Sequence, residues 1–498
     1  MSKLKPIIRN NFSGGISDST LSTAVNEFAI AKHFDIFTDP NRLIPYRSLE
    51  TDTNDGSTST GMKQYYVRDT VYSTTSAKLY GLGQNGTGKT KIVYKADAIT
   101  GNWTLPSSSE GDGAVINGCF FEYKDYLWGF QGTTQLFKWG LLSGTPSITN
   151  TVTTVSATIT SVANGIIASD GNAYMAYNNV IVRIAPGGTV TDNAKTVPTN
   201  FKITSITNLG SYMAIGCAPI STYNGESRVY IWNLASDLFQ ETIPWGEGEL
   251  RVLDTVEGIL VGITDRYLNN TSGAGKGSMI IQTYTNGSAQ VIKEIFTQAQ
   301  TGKSIPQSKA IRNNRLFWSA KIMTNSAGTE YVEGLWSFGR KNTGYNFALN
   351  LDIIDENVNT SGIQGFGTAA NYFYIFHSAD GSIDKTDDTS TYSFTSILET
   401  NTLYLTGDDK LNGIRIMTDP LPSGATVTVK YKINQDTSWT TIGSISTQYT
   451  IVTDFINIAS TGYSLPAFQD LKLRFESTGG AIIRGYLINP EALRGSND

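Results

Sequence analysis

Apolar residues in this chain recur at every second position over short stretches, and polar, glycine-rich turns separate the stretches. Val427, Val429 and Tyr431, for example, alternate with Thr428, Lys430 and Lys432. A two-residue period puts alternate side chains on opposite faces of a sheet, so such a run predicts a strand buried on one side. Helical spacing is scarce. A helix is expected only over Leu21 to Lys32, ending before His33.

The strands come in a repeated phrase: an apolar run, a polar turn, a second run with an aromatic pair, then an exit strand such as Val229-Tyr230-Ile231-Trp232 or Gly334-Leu335-Trp336-Ser337-Phe338. Copies span 62–96, 115–139, 159–184, 203–234, 252–284, 309–338 and 363–386. Their starts lie roughly fifty residues apart, the period of a four-stranded propeller blade. A sheet with two apolar faces must stack on neighbours, and a closed ring of such sheets gives every face a partner. Two successive β-sandwiches would also place strands at short intervals, without seven copies of one phrase. The expected fold is therefore all-β, a seven-bladed β-propeller with an extended N-terminal arm and a C-terminal antiparallel β-sandwich. The seventh copy, ending near Phe394, looks one strand short. An N-terminal strand over Arg42-Leu43-Ile44-Pro45-Tyr46-Arg47 is expected to complete it.

From Leu398 the phrase gives way to longer alternating strands, with turns at Pro420-Leu421-Pro422-Ser423-Gly424 and Asn434-Gln435-Asp436-Thr437-Ser438. The resulting division is 1–55 for the arm and closing strand, 56–396 for the propeller, 397–490 for the sandwich and 491–498 for a loose tail.

Composition narrows the function. Among 498 residues, 49 are Gly, 25 Tyr and 21 Phe, in keeping with strands and tight turns. A formal net charge of −5 with 16% charged residues leaves no basic footprint for sequence-specific nucleic-acid binding. No apolar run is long enough for a membrane span, and none follows the basic N-terminus as a signal peptide requires. Cys119 and Cys217 both sit in strand-like apolar runs and are expected as buried thiols, too few for a redox or zinc site. With synthesis in a cytoplasm expected, the Asn-x-Ser/Thr sites at Asn85, Asn102 and Asn286 carry no glycan argument.

Candidate chemistry is thin. Gly83 to Thr90 matches the phosphate-binding pattern G-x-x-x-x-G-K-T, with Lys89 as its lysine. That loop needs a helix behind it to aim backbone N–H groups at phosphate. Here Lys91-Ile92-Val93-Tyr94-Lys95-Ala96 follows and Ala77 to Leu82 precedes, so a hairpin is expected instead. His33 and His377 are the only histidines, each without metal-ligand spacing. His377 precedes Ser378-Ala379-Asp380-Gly381, where a Ser–His–Asp arrangement is conceivable but a structural role is expected. Asp380, Asp384, Asp387 and Asp388 lack calcium-loop spacing and read as a solvated turn. Glu247 and Glu249 have no spacing rule that would make them a glycosidase pair. Neither Ser169-Asp170-Gly171 nor the stretch after Ser378 completes a sialidase-type turn. Trp128, Trp139, Trp232, Trp245, Trp318 and Trp336 recur at strand ends and are expected in the packing rather than on a sugar platform. No catalytic, cofactor or metal residue is assigned, and no enzyme is expected.

One part of the wording is family-like. Phe12, Gly14, Gly15, Asn26, Leu43, Pro45 and Tyr46 set out an F-x-GG phrase, a polar stretch and an L-x-P-Y entry. Together with the closing strands at 471–475 and 481–487, this layout resembles the nozzle and DNA-stabilising tail proteins of short-tailed phages. The resemblance implies a multi-copy virion part made in the host cytoplasm. It would form a ring on a portal-proximal adaptor, beside tail fibre or spike proteins, and line the DNA exit channel. A mildly acidic surface would let duplex DNA slide past without specific binding, as few counterion-releasing contacts are on offer. The arm, poor in large apolar residues, is expected to order on a neighbouring subunit. The competing expectation is a binding module whose loop-rich face recognises a host-surface glycan or receptor.

Overall fold

A computed structural model describes residues 7–17, 26–52, 65–85, 90–95, 103–104, 119–143, 151–220, 225–267, 277–285, 287–297, 308–323, 331–354, 363–369, 372–377, 383–386, 391–404, 413–434, 436–456 and 470–489. The fold is all-β; every regular element among these residues is a strand.

Seven four-stranded antiparallel groups follow one another along the chain. The first runs from Tyr65–Ser73 through Lys78–Asn85 and Thr90–Lys95 to Trp103–Thr104. The second to fifth begin at Phe120–Tyr123, Val162–Ile167, Phe201–Leu209 and Glu249–Val256, and each is an uninterrupted meander. The sixth begins at Lys309–Arg312 and ends at Ala348–Ile354, and the seventh begins at Ile363–Ala369. The opening strands touch in succession, except that the fifth group's opening strand lies against the sixth group's second strand, Arg315–Met323, and the opening strand of the seventh group lies against that of the first.

Packing between groups follows the same order. Tyr80 and Leu82 of the first meet Leu127 and Trp139 of the second, and Trp128 there meets Met175 and Val182 of the third. Tyr174 and Ile181 meet Ile215 and Trp232 of the fourth, whose Trp245 meets Leu253 and Leu260 of the fifth. Val261 and Ile281 pack with Trp318 and Trp336 of the sixth, Phe317 and Leu335 with Phe366 and Ile375 of the seventh. Tyr374 and Ile383 then return to Leu79 and Trp103 of the first. These seven tryptophans are all at most 4% exposed, so packing is their role. Each such ring contributes about 1.5–3 kcal/mol by burial. Glycine makes the close approach possible: a Cβ on Gly165 would stand 2.1 Å from the Phe121 ring.

The seventh group has three strands of its own, Ile363–Ala369, Tyr372–His377 and Ile383–Lys385. Its fourth is Glu50–Thr51, antiparallel through Asp384↔Thr51 and Lys385↔Glu50. An arm strand therefore does complete it, but not the expected one. Ile44–Pro45 pairs instead with Phe34–Asp35, and Leu43 bridges to Ile483. Apolar Leu43, fully buried under the C-terminal sheets, is held there by its packing, leaving the polar Glu50–Thr51 for the edge. The expected helix is also corrected. Residues 18–25 lie outside the described residues, and Glu27–Phe28 and Ile30–Lys32 are strands, because backbone pairing with two sheets outweighs a weak helical preference.

The C-terminal part has two layers. One is a separate sheet in the order Ile7–Arg9, Ile483–Ile488, Gly413–Thr418 and Val452–Ile456; the other, Ser396–Glu399, Asp470–Thr478, Thr426–Ile433 and Thr440–Ile445, continues the sheet of the sixth group through Ile30–Lys32. Val427, Val429, Leu471, Leu473 and Phe475 of the second share a core with Ile414, Ile416, Ile483 and Tyr486 of the first. Thr426–Ile433 alternates buried and half-buried along its whole length, as its sequence predicts. Ile30–Lys32 lies between this part and the sixth group, parallel to Leu351 on one side and antiparallel to Ile397–Glu399 on the other.

Candidate functional site: the arm junctions

The sequence-flagged residues do not converge. Lys78–Asn85 and Thr90–Lys95 pair antiparallel from Gln84↔Thr90 to Leu79↔Lys95, so a strand rather than a helix follows the G-x-x-x-x-G-K-T stretch; Lys89 itself lies outside the described residues. His33 is buried and stacks on Phe394 at 4.1 Å. His377 Nε2 lies 3.1 Å from Asp384 Oδ2, both buried. Asp380, Asp387 and Asp388 are outside the described residues. Glu247 is exposed, whereas Glu249 is held by Lys202 at 2.5 Å and Arg251 at 2.6 Å. Asp170 accepts the Tyr174 hydroxyl at 2.6 Å and the Asn172 amide at 3.0 Å, as in an ordinary Asx turn. Cys119 and Cys217 are buried and in no disulfide; the Cys119 thiol donates to the Ala163 carbonyl, and burial pushes the Cys217 thiol well up. Among the described residues no group of three or more His, Cys, Asp or Glu is placed to hold a metal ion.

Buried charge collects elsewhere, chiefly where the arm crosses the sheets. At the first junction Arg315, at the start of its strand, points Nη1 at Asp352 (3.3 Å), the Tyr46 hydroxyl (3.4 Å) and Asp35 (3.5 Å). Its Cζ lies 4.6 Å from the centroid of the Phe37 ring and 4.9 Å from that of Phe317. Tyr46 donates to Asp352 at 2.6 Å, and Asn350 donates to the Phe34 carbonyl at 2.7 Å. Burial works against the charge on Arg315, but Tyr46, Asp35 and Asp352 outweigh it and hold the guanidinium above its ordinary range. Burial raises the Asp352 carboxyl, with Arg315 pulling it back down. The Tyr46 hydroxyl is raised well above its usual value by burial and then by Asp35 and Asp352.

At the second junction the arm's Asp52, just past Glu50–Thr51, meets the first group. Lys95 Nζ is 2.5 Å from Asp52 Oδ2, and both side chains are fully buried. Trp103 Nε1 donates to the same oxygen at 3.2 Å, Lys385 lies 3.5 Å from the other, and the Asp52 amide donates to the Ile383 carbonyl. One arm residue thus joins the first and seventh groups. A third cluster lies among the opening strands. Lys309 Nζ reaches the Leu253 carbonyl (2.5 Å), Ser205 Oγ (2.9 Å), Asp254 (3.2 Å) and the Ile206 carbonyl (3.4 Å). It crosses from the sixth group to the fifth and fourth. Burial lowers its pKa while Asp254 raises it.

None of Arg315, Asp35, Asp352, Asp52, Lys95 or Lys309 was flagged by sequence spacing. The one signal present was a polar residue inside an apolar strand run, as with Asn350 and Asp352 in Ala348–Ile354, where all seven residues are buried. Outside the first junction opens a cavity of about 280 Å³ between the arm and the sixth and seventh groups.

The comparisons with known proteins add little beyond this geometry. No family model and no curated protein matches the chain. Among solved structures it is similar to a catalytically inactive variant of virginiamycin B lyase from Staphylococcus aureus, with 11% identity and a TM-score of 0.43 over 68% of this chain and 98% of that one. The Pan2 WD40 domain of Neurospora crassa matches with 10% identity and a TM-score of 0.40 over 69% and 95%. BamB from Moraxella catarrhalis matches with 12% identity and a TM-score of 0.33 over 62% and 80%. Likeness at these scores carries no argument about activity.

Proposed function

We propose that the chain is a seven-bladed β-propeller whose arm fastens it to a C-terminal β-sandwich, and that it serves as a structural part of a tailed-phage virion rather than as a catalyst. The blade count is supported by seven successive four-stranded groups, each packed on the next and the last on the first. The observation that carries the role is the arm. Ile7–Arg9 pairs with Ile483–Ile488, Ile30–Lys32 joins the sixth group to the C-terminal sheets, and Glu50–Thr51 completes the seventh. A chain fastened to itself at three places resists being pulled open, which suits a tail nozzle or hub under genome pressure.

The assembly envisaged is a multi-copy ring docked on a portal-proximal adaptor, with fibre or spike proteins as neighbours. Lys309 ties together the opening strands of the fourth to sixth groups, and in the assembly envisaged the exit path for DNA runs between copies. Phe12, Phe28, Phe34, Phe37 and Leu43 are buried within their own chain, so the described part of the arm packs against its own chain.

Locating a labelled chain by electron microscopy in purified particles tests this reading. A fixed copy number at the tail supports it; particles in which the chain is absent overturn it. A second reading, a propeller-type module for a host-surface glycan or receptor, is favoured by the cavity beside Arg315, and a glycan array with the purified chain tests it.

A further inference from the structure

Like charges set directly opposite each other cost a sheet stability, and two such pairs, of opposite sign, stand on this chain. In the C-terminal layer Lys432 lies across from Lys472, and one row along Lys430 lies across from Arg474. All four are on the half-buried side of their strands. The second row is neutralised within the sheet, Arg474 by Glu399 and Lys430 by Glu476 at 2.7 Å. The first row is not. Lys432 gives an N–H to the Thr437 carbonyl at 2.7 Å and lies 5.0 Å from the centroid of the Trp439 ring. Among the described residues neither Lys432 nor Lys472 is in an ion pair, even with Asp470, which shares their face.

The acidic counterpart is on the fourth group. There Glu226, opening the strand Glu226–Trp232, lies across from Glu247 at the end of the outermost strand Glu241–Glu247, and both are exposed. Arg228 is 3.4 Å from Glu226, a contact too exposed to hold much. Apolar surface adjoins each pair. Ile220, 59% exposed, follows Tyr212–Pro219 at the end of the group where Glu226 stands, and the half-buried Trp439 lies beside Lys432. Among the described residues no ion pair joins the two lysines to the two glutamates within the chain, so in a single copy only solvent answers them.

A patch and its complement at different places on one chain make a head-to-tail contact, which closes into a ring where the rotation between copies allows. We propose that Lys432 and Lys472 of one copy dock on Glu226 and Glu247 of the next. The contact rests on the reading of the chain as a multi-copy ring and names the surfaces that build it. Exposed charge pairs add little strength singly; they select the neighbour and its register, while Trp439 and Ile220 bring apolar area to the same contact.

The test is sedimentation velocity of the purified full-length chain across protein and salt concentration. Self-association that weakens as salt rises supports the contact. A chain that stays monomeric at low salt, or associates as well at high salt, overturns it. Lys432→Glu with Lys472→Glu should weaken association about tenfold or more, as should Glu226→Lys with Glu247→Lys. A variant with all four reversals should associate as the wild type does, because each face again meets its complement. Unchanged association in either pair variant, or a monomeric fourfold variant that keeps the wild-type melting temperature, overturns the proposal. Lys432→Gln with Lys472→Gln stands in should a reversal fail to fold, and unchanged association there overturns the proposal too. Imaging of particles separates the two readings. A tail ring of fixed copy number, with association indifferent to the reversals, overturns this contact alone; charge-dependent association of a chain absent from particles supports the contact and overturns the virion role.

Discussion

The second to fifth groups and the arm-built seam are held together by different means. Each of the former is a meander of consecutive strands, with apolar side chains filling the space between neighbours. The seam is assembled from segments far apart in sequence. There the arm supplies single two- and three-residue strands to the seventh group and both C-terminal sheets, and its junctions are fixed by buried charge. Local meanders need only the hydrophobic pattern to be specified. The seam's strands are too short to fix register by themselves, so ion pairs and hydrogen bonds add to the apolar packing of Phe12, Phe28, Phe34, Phe37 and Leu43, at the risk that removing one partner leaves the other stranded in the interior.

The sharpest way to break the seam is therefore at Asp52. Asp52→Ala leaves the Lys95 ammonium buried without its carboxylate and should cost about 3–5 kcal/mol in denaturant unfolding. Replacing Asp52 and Lys95 together with Leu and Met should recover most of that loss; if the double variant is no more stable than the single, the pair is not what fastens the seam.

Next come two core truncations of similar size and different reach. Leu43→Ala and Ile215→Ala should each cost about 2–5 kcal/mol. Loss of hydrogen-exchange protection should spread from Leu43 into both C-terminal sheets and the seventh group, but stay within the third to fifth groups for Ile215. Equal spread in the two variants would erase the distinction between seam and meander.

Tyr46→Phe is milder, about 1–2 kcal/mol at neutral pH for the hydrogen bond to Asp352, and its signature is in alkali. The folded Tyr46 hydroxyl is raised well above its ordinary value of 10.0, so above that pH the unfolded chain loses this proton first. The folded state then binds more protons, and stability falls as pH rises from the ordinary value toward the raised one. Tyr46→Phe should flatten that decline, measured as the difference between the two proteins from pH 9 to roughly pH 12. The smallest effect is expected at Lys89. Lys89→Ala should change stability by less than about 0.5 kcal/mol and leave nucleotide affinity at background; a nucleotide affinity present in the wild type and lost in the variant would reopen the phosphate-loop reading.

What the sequence disclosed follows the same division. The hairpin across Gly83 to Thr90 was legible because β-branched and aromatic residues flank it on both sides. Thr426–Ile433 was legible because eight residues are enough to show a two-residue period. Glu50–Thr51 was not, since two residues carry no period at all; the need for an added strand could be inferred from the short seventh copy, but not which residues would meet it. Among the charged residues, Asp52 and Lys95 are separated by 43 positions and Tyr46 and Asp352 by 306. Nothing local to either member announces the other, so the charged junctions became visible only once the strands were placed.

Ile7 finds its partner at Ile488, so the earliest described strand must wait for every residue between the two before it can dock. At about 5–20 residues per second on a ribosome, that wait is roughly 25 to 100 seconds, during which the meanders can settle one after another while the leading segment stays unattached. A synthesis that stops before Ile488 would leave the leading edge with nowhere to go.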